Sequence, residues 1–194
     1  MNFPRILKKR KGYIDRIKPF MQKSVVKVLT GQRRVGKSFL LYQLIEEILA
    51  KEPDANIIYV NLEDFTFSSL QTAEDLHSYI ISHSKEKVKN YIFIDEIQDI
   101  PGFEKVIRSL LLNEDNDIYI TGSNAKMLSG ELATYLSGRY IEFKIYSLSY
   151  SEFLEFHGLT ESETSYELYS RYGGLPYLLN LPPVSYTHLR AHET

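Results

Sequence analysis

The sequence predicts an α/β fold, a parallel sheet covered by helices on both faces, and three observations carry the prediction. Strand-like runs alternate with helix-like runs along most of the chain. The strand-like runs are apolar on both faces, as strands in the middle of a parallel sheet are. Between the first strand and the first helix lies a loop bounded by glycines, GQRRVGKS at residues 31–38.

Residues 24–30, SVVKVLT, are β-branched and stop at the glycine turn, so they read as the first strand. Residues 39–49, FLLYQLIEEIL, carry apolar residues at helical spacing among strong helix formers. A turn at 53–56 leads to a second strand, IIYVN at 57–61, then a polar loop with Glu63 and Asp64 and a helix over 72–84. YIFIDE at 91–96 is an apolar strand ending in two carboxylates. A helix at 103–112, a strand at 117–122, a helix at 128–136 and a strand at 140–145 follow, and another helix opens at 150–156.

The expected organisation is a lead-in segment at 1–23, a core at 24–147 and the start of a helical lid at 148–183, cut short. Residues 184–194, VSYTHLRAHET, lack either periodicity and resemble one reading frame of a sequencing-library adapter. They are expected to be a non-native tail, with the natural chain continuing past Pro183.

At 194 residues the chain can build one real core, with the beginning of a second unit. A net charge of −2 argues against a wholesale nucleic-acid binder. The absence of cysteine excludes disulfides and thiolate metal sites. No run reads as a signal peptide or a membrane span, so the expected address is the cytoplasm. The basic run Lys8, Lys9, Arg10 and Lys11 is expected to be a solvated terminus, with engagement of DNA or RNA as the alternative.

The loop at 31–38 fits the phosphate-binding pattern of two glycines followed by Lys and Ser. Gly31 and Gly36 permit the close approach that wrapping a phosphate demands, and Gln32, Arg33, Arg34 and Val35 would offer backbone N–H groups between them. Lys37 would reach the β- and γ-phosphates. Ser38 would offer its hydroxyl to Mg²⁺ and, with Phe39, open a helix whose N-terminal dipole favours an anion. Asp95, at the carboxyl end of a buried strand, would hold Mg²⁺ opposite Ser38. Glu96, one residue on, would accept a proton from the attacking water.

Together, GQRRVGKS, YIFIDEIQ at 91–98 and ITGSN at 120–124 resemble the AAA+ and related STAND branches of P-loop ATPases. The closest resemblance is to a prokaryotic ATPase family whose AAA domain precedes an uncharacterised C-terminal domain. It covers about residues 13 to 181, and the first two motifs stand where that family carries Walker A and Walker B.

The resemblance implies Mg-dependent ATP binding and hydrolysis, with ATP and Mg²⁺ as ligands and an unidentified partner or output domain, protein or nucleic acid, served by the region beyond the lid. It places Ser123 or Asn124 at the sensor that touches the γ-phosphate, with a helix N-cap as the alternative. Arg139 falls where an arginine finger acts across a subunit boundary, which implies a homo-oligomer. Asn61 matches the residue that restrains the catalytic glutamate, although a strand-end turn is the simpler reading. In YGGLPYLL, Gly174, Leu175 and Pro176 resemble the segment whose proline lies against adenine. No guanine-reading Asn/Thr-Lys-x-Asp signature follows the loop. A STAND-like switch, which holds ATP or ADP and turns over little, is the alternative to a working ATPase.

Overall fold

The computed structural model describes residues 8–122, 136 and 138–176. Within them two compact units separate, one made of the described residues of 8–31 and 37–144, the other of 32–36 and 145–176.

The first unit holds the sheet. Its strands are β1 (Val26–Thr30), β2 (Asn56–Asn61), β3 (Asn90–Asp95), β4 (Asn116–Gly122) and β5 (Tyr140–Lys144), all parallel, in the order β2-β3-β4-β1-β5. Its helices are α1 (Lys11–Ile17), α2 (Lys37–Leu49), α3 (Ala73–His83) and α4 (Phe103–Leu110). The α/β fold class read from the sequence is the observed one.

Strand alternation divides the core between the two faces of the sheet. Val26, Val28, Ile92, Ile94, Ile118 and Ile120 pack with Leu76 and Ile80 of α3 and with Val106, Ile107 and Leu110 of α4. The opposite face carries Leu29, Phe93 and Tyr119, the last two stacked at 4.5 Å between ring centroids. On that side α2 approaches β4 and α1 packs on α2. α3 starts where it does because Thr72 and Asp75 form a capping box, each side chain accepting the other's backbone N–H.

Two expectations need correction. Not every strand is buried on both faces: β2 and β5 are edge strands and are only partly covered, whereas β1, β3 and β4 are buried throughout. The basic run is not simply solvated. Arg10 is buried, its N–H donating to Gln43 Oε1 at 2.9 Å, its guanidinium 4.5 Å from the Tyr13 ring centroid, while Lys9 pairs with Glu47 at 3.2 Å. Gln43 of α2 also donates to the Lys8 carbonyl, so one buried amide ties the lead-in to this helix.

At the amino ends of the strands Lys27 is fully buried beside Asp117. The pair is completed by the Lys23 and Val25 carbonyls on the lysine and by the Tyr119 hydroxyl and Gln22 N–H on the carboxylate. Such saturation is what a buried ion pair requires. Burial holds the Lys27 amine below its ordinary pKa, against the pull of Asp117.

The second unit contains α5 (Tyr150–His157) and α6 (Glu163–Tyr172) around Leu148, Phe153 and Phe156. Ser149 and Glu152 cap α5 reciprocally, and Ser162 caps α6. Leu148 donates its N–H to the Gly174 carbonyl at 2.6 Å, and a Cβ at Gly174 would overlap the Leu148 carbonyl oxygen. Only glycine allows that approach. The helix expected at 128–136 lies outside the described residues except for Leu136, which is buried, and residues 184–194 lie outside them entirely.

Candidate functional site

The site is built where β1, β4 and β3 end, side by side, at the carboxyl edge of the sheet. This is where ligands collect in open α/β folds. β1 ends at Thr30, and α2 opens with Lys37 and Ser38. β3 ends at Asp95, and Glu96 follows in the left-handed region at φ 55 and ψ 47, turning the chain into a short 3₁₀ turn, Ile97–Asp99. β4, the strand between β1 and β3, contributes Thr121.

Hydrogen bonds lock these ends together. The Thr121 hydroxyl donates to Asp95 Oδ1 and accepts the Glu96 backbone N–H at 3.0 Å. Ser38 hydrogen-bonds the Asp95 carboxylate. The Tyr59 hydroxyl lies 3.3 Å from Asp95 Oδ2 and 3.2 Å from the Tyr42 hydroxyl. Lys37 Nζ lies 3.2 Å from Glu96 Oε1 and donates to the Gly31 carbonyl at 3.1 Å. Gln98 Nε2 donates to Glu96 Oε2 at 2.7 Å.

Lys37, Asp95 and Glu96 are all at least 95% buried, so their charges act in a medium less polar than water. Burial pushes the Asp95 carboxyl above its ordinary pKa, the nearby Glu96 charge adds to the rise, and the hydrogen bonds from Ser38, Thr121 and Tyr59 oppose it. Burial and the Asp95 charge push the Tyr59 hydroxyl upward as well, which keeps it a donor.

Among the described residues no group of three or more His, Asp or Glu side chains is arranged to hold a metal. The Ser38 hydroxyl and Asp95 carboxylate are a two-oxygen set of the kind that suits Mg²⁺ when phosphate and water complete its shell.

A family model described as an AAA domain matches residues 23–154. The chain belongs to the AAA domain family. With its five parallel strands it is a P-loop ATPase domain of the AAA+ kind. An uncharacterized protein of Haemophilus influenzae is 41% identical over 178 residues, which is 86% of this chain and 43% of that protein. The AAA chain thus spans less than half the length of this relative.

Two solved structures share the fold at low identity. The Aeropyrum pernix Orc1 protein in complex with DNA has a TM-score of 0.59 at 15% identity, over 95% of this chain and 61% of that one. AMPPCP-bound DnaA from Aquifex aeolicus has a TM-score of 0.55 at 13% identity, over 99% of this chain and 64% of that one.

Other residues singled out from the sequence lie elsewhere in the AAA domain. Arg139 is exposed at the amino end of β5, where its carbonyl accepts the Val26 N–H. It stands at the opposite edge of the sheet from Lys37 and Asp95, about 13 Å of strand away at some 3.3 Å per residue. Asn61 uses its side-chain oxygen to accept the Glu63 N–H at 3.1 Å, a strand-end turn. Phe39 is half exposed, its ring edge-on to Tyr42. Ser123 and Asn124 lie outside the described residues.

Within the second unit, Gln32, Arg33 and Arg34 are exposed, Arg34 and Gly36 have φ of 66° and 95°, and a Cβ at Gly36 would lie 3.7 Å from Pro176 Cγ. Pro176 therefore sits against the loop that the sequence marks for phosphate.

Sequence reasoning missed Tyr59, Thr121 and Gln98. The available signal for Thr121 was a hydroxyl near the end of a strand, DIYITG, that is otherwise apolar in its centre.

Proposed function

We propose that this AAA domain binds and hydrolyses ATP with Mg²⁺. The observation that carries the reading is the 3.2 Å approach of Lys37 to Glu96 beside the Ser38–Asp95 hydrogen bond. A phosphate-seeking cation, a pair of hard oxygens and a carboxylate base converge at the carboxyl edge of the sheet. DnaA, a neighbour in fold, holds the nucleotide AMPPCP.

In this reading the loop amides from Gly31 to Gly36 and Lys37 hold the phosphates, and Ser38 and Asp95 would hold Mg²⁺, which when bound supplies charge neutralisation on the phosphate oxygens. Glu96 takes a proton from water as the water oxygen bonds to the γ-phosphorus. The bond from that phosphorus to the β-phosphate oxygen breaks, leaving ADP and inorganic phosphate. Positioning and electrostatics account for most of the rate. The resemblance assigns the base to Pro176, which within the second unit lies beside Gly36.

Arg139, on the far edge, fits a role in a neighbouring subunit's site. The arrangement of Arg10 and Lys9, one buried and one ion-paired, does not favour the nucleic-acid alternative.

A nucleotide-operated switch is the second reading, favoured by the proximity of Gly36 and Pro176, through which the loop bears on the segment after α6. Single-turnover hydrolysis tests the choice. The ATPase reading expects wild-type turnover well above the rate of nucleotide exchange and none in Glu96→Gln, whereas turnover no faster than exchange favours the switch.

A further inference from the structure

Glu96 has each carboxylate oxygen in a defined contact. Oε1 faces Lys37 at 3.2 Å, and Oε2 accepts from Gln98 at 2.7 Å. The two contacts differ in permanence. Lys37 is the cation a triphosphate draws to itself, so its hold on Oε1 is lost when nucleotide arrives, while the contact from Gln98 is made by a neutral amide with no charge for the phosphates to attract.

Gln98 is placed by its backbone. It sits in the middle of the 3₁₀ turn Ile97–Asp99, which is pinned by fully buried Ile97 and closed by Asp99 N–H to the Glu96 carbonyl and Ile100 N–H to the Ile97 carbonyl. Its amide can face the acids only one way round. Nε2 reaches both Glu96 Oε2 and, at 3.4 Å, Asp99 Oδ1, and a carboxylate only accepts. The amide oxygen Oε1 is then left buried, with no hydrogen-bond partner among the described residues. A buried acceptor without a donor is unusual enough to need a reason, and a site that admits water is one.

We propose that Gln98 is a positioning residue for hydrolysis. It clamps Glu96 Oε2 so that Oε1, once Lys37 has turned to the phosphates, is presented to the attacking water, and its own Oε1 accepts a hydrogen bond from ordered water at the site. The inference rests on Glu96 being the base in the proposed function. It adds a residue that makes the base effective without binding nucleotide.

The test uses the purified protein with Mg·ATP, measuring affinity by calorimetry and hydrolysis by single turnover, in Gln98→Leu, Gln98→Glu, Glu96→Gln and the double variant Gln98→Leu/Glu96→Gln. Gln98→Leu is expected to bind within about twofold of wild type and to hydrolyse about 10-fold or more slowly, a fraction of the 10²–10⁴ that general base catalysis contributes. Gln98→Glu, which brings a like charge to Glu96, is expected to be slower still. The double variant should be no slower than Glu96→Gln alone, because a clamp on an absent base has nothing left to position. A merely structural Gln98 would lower affinity and rate together.

Gln98→Leu at the wild-type rate beside an inactive Glu96→Gln overturns this inference and leaves the proposed function standing. Wild-type turnover in Glu96→Gln overturns both.

Discussion

Thr121 holds Glu96 by its backbone, accepting the Glu96 N–H at 3.0 Å across the gap between adjacent strands. With that lone pair engaged, the hydroxyl hydrogen goes to Asp95 Oδ1, so one buried side chain fixes the two acids relative to each other. The left-handed backbone at Glu96, uncommon for a residue with a side chain, persists because its N–H is satisfied there.

Replacing Thr121 by Val removes the hydroxyl at nearly constant volume and leaves a buried N–H unpaired, a cost of about 1–3 kcal/mol. Thr121→Ser keeps the oxygen and should retain most of the stability. Denaturant unfolding of both variants checks this, and a larger loss in Thr121→Ser than in Thr121→Val would point to packing of the methyl group instead.

The Asp95 carboxyl lies above its ordinary pKa because it is buried, so its charge is a stability cost in the nucleotide-free protein. The sign follows from linkage. The unfolded carboxyl releases its proton at lower pH than the folded one, so stability from this group falls as pH rises between the two values and stays low above them. Asp95→Asn should therefore melt above wild type at neutral pH without nucleotide, at roughly 2–4 °C per kcal/mol. The advantage should vanish as the medium becomes acid enough to protonate Asp95, and the variant should gain little stability from Mg·ATP. Thermal melts across pH, with and without Mg·ATP, measure each part.

Asp117→Asn strips the countercharge from Lys27 and should cost about 3–5 kcal/mol, the range for breaking a buried pair on one side. Lys27→Met combined with Asp117→Leu should recover much of that loss. Urea midpoints of the single and double variants decide the matter, and a mild single variant would mean that Lys27 is neutral in the fold.

Gly174→Ala places a methyl group on the Leu148 carbonyl, where neither backbone can yield without breaking the bond that joins them. A destabilisation of about 1–3 kcal/mol is expected, confined to the second unit. Limited proteolysis should cut first within residues 145–176, whereas resistance equal to wild type would show that the turn adjusts freely.

Much of this was legible in the sequence because periodicity and spacing are local. The apolar runs gave the strands, and GQRRVGKS between a strand and a helix marked the phosphate loop without reference to anything distant. What was illegible depends on which strands are neighbours. Thr121 meets Asp95 only because β4 lies beside β3, and Tyr59 reaches the same carboxylate only because β2 lies on the other side. That β2 and β5 form the edges, and so are less covered, also follows from strand order. Arg10 looked like one of four solvated cations until Gln43, thirty-three residues on, accepted its N–H. Gly174 resembles part of a segment whose proline lies against adenine, and its close approach to Leu148 is a tertiary constraint that no local pattern carries.

The most direct measurement of the account is titration calorimetry of Mg·ATP into the wild-type protein and Lys37→Ala. Saturable binding is expected for the wild type, and at least a 10-fold loss, about 1.4 kcal/mol, in the variant. Equal affinity in the two proteins would contradict it.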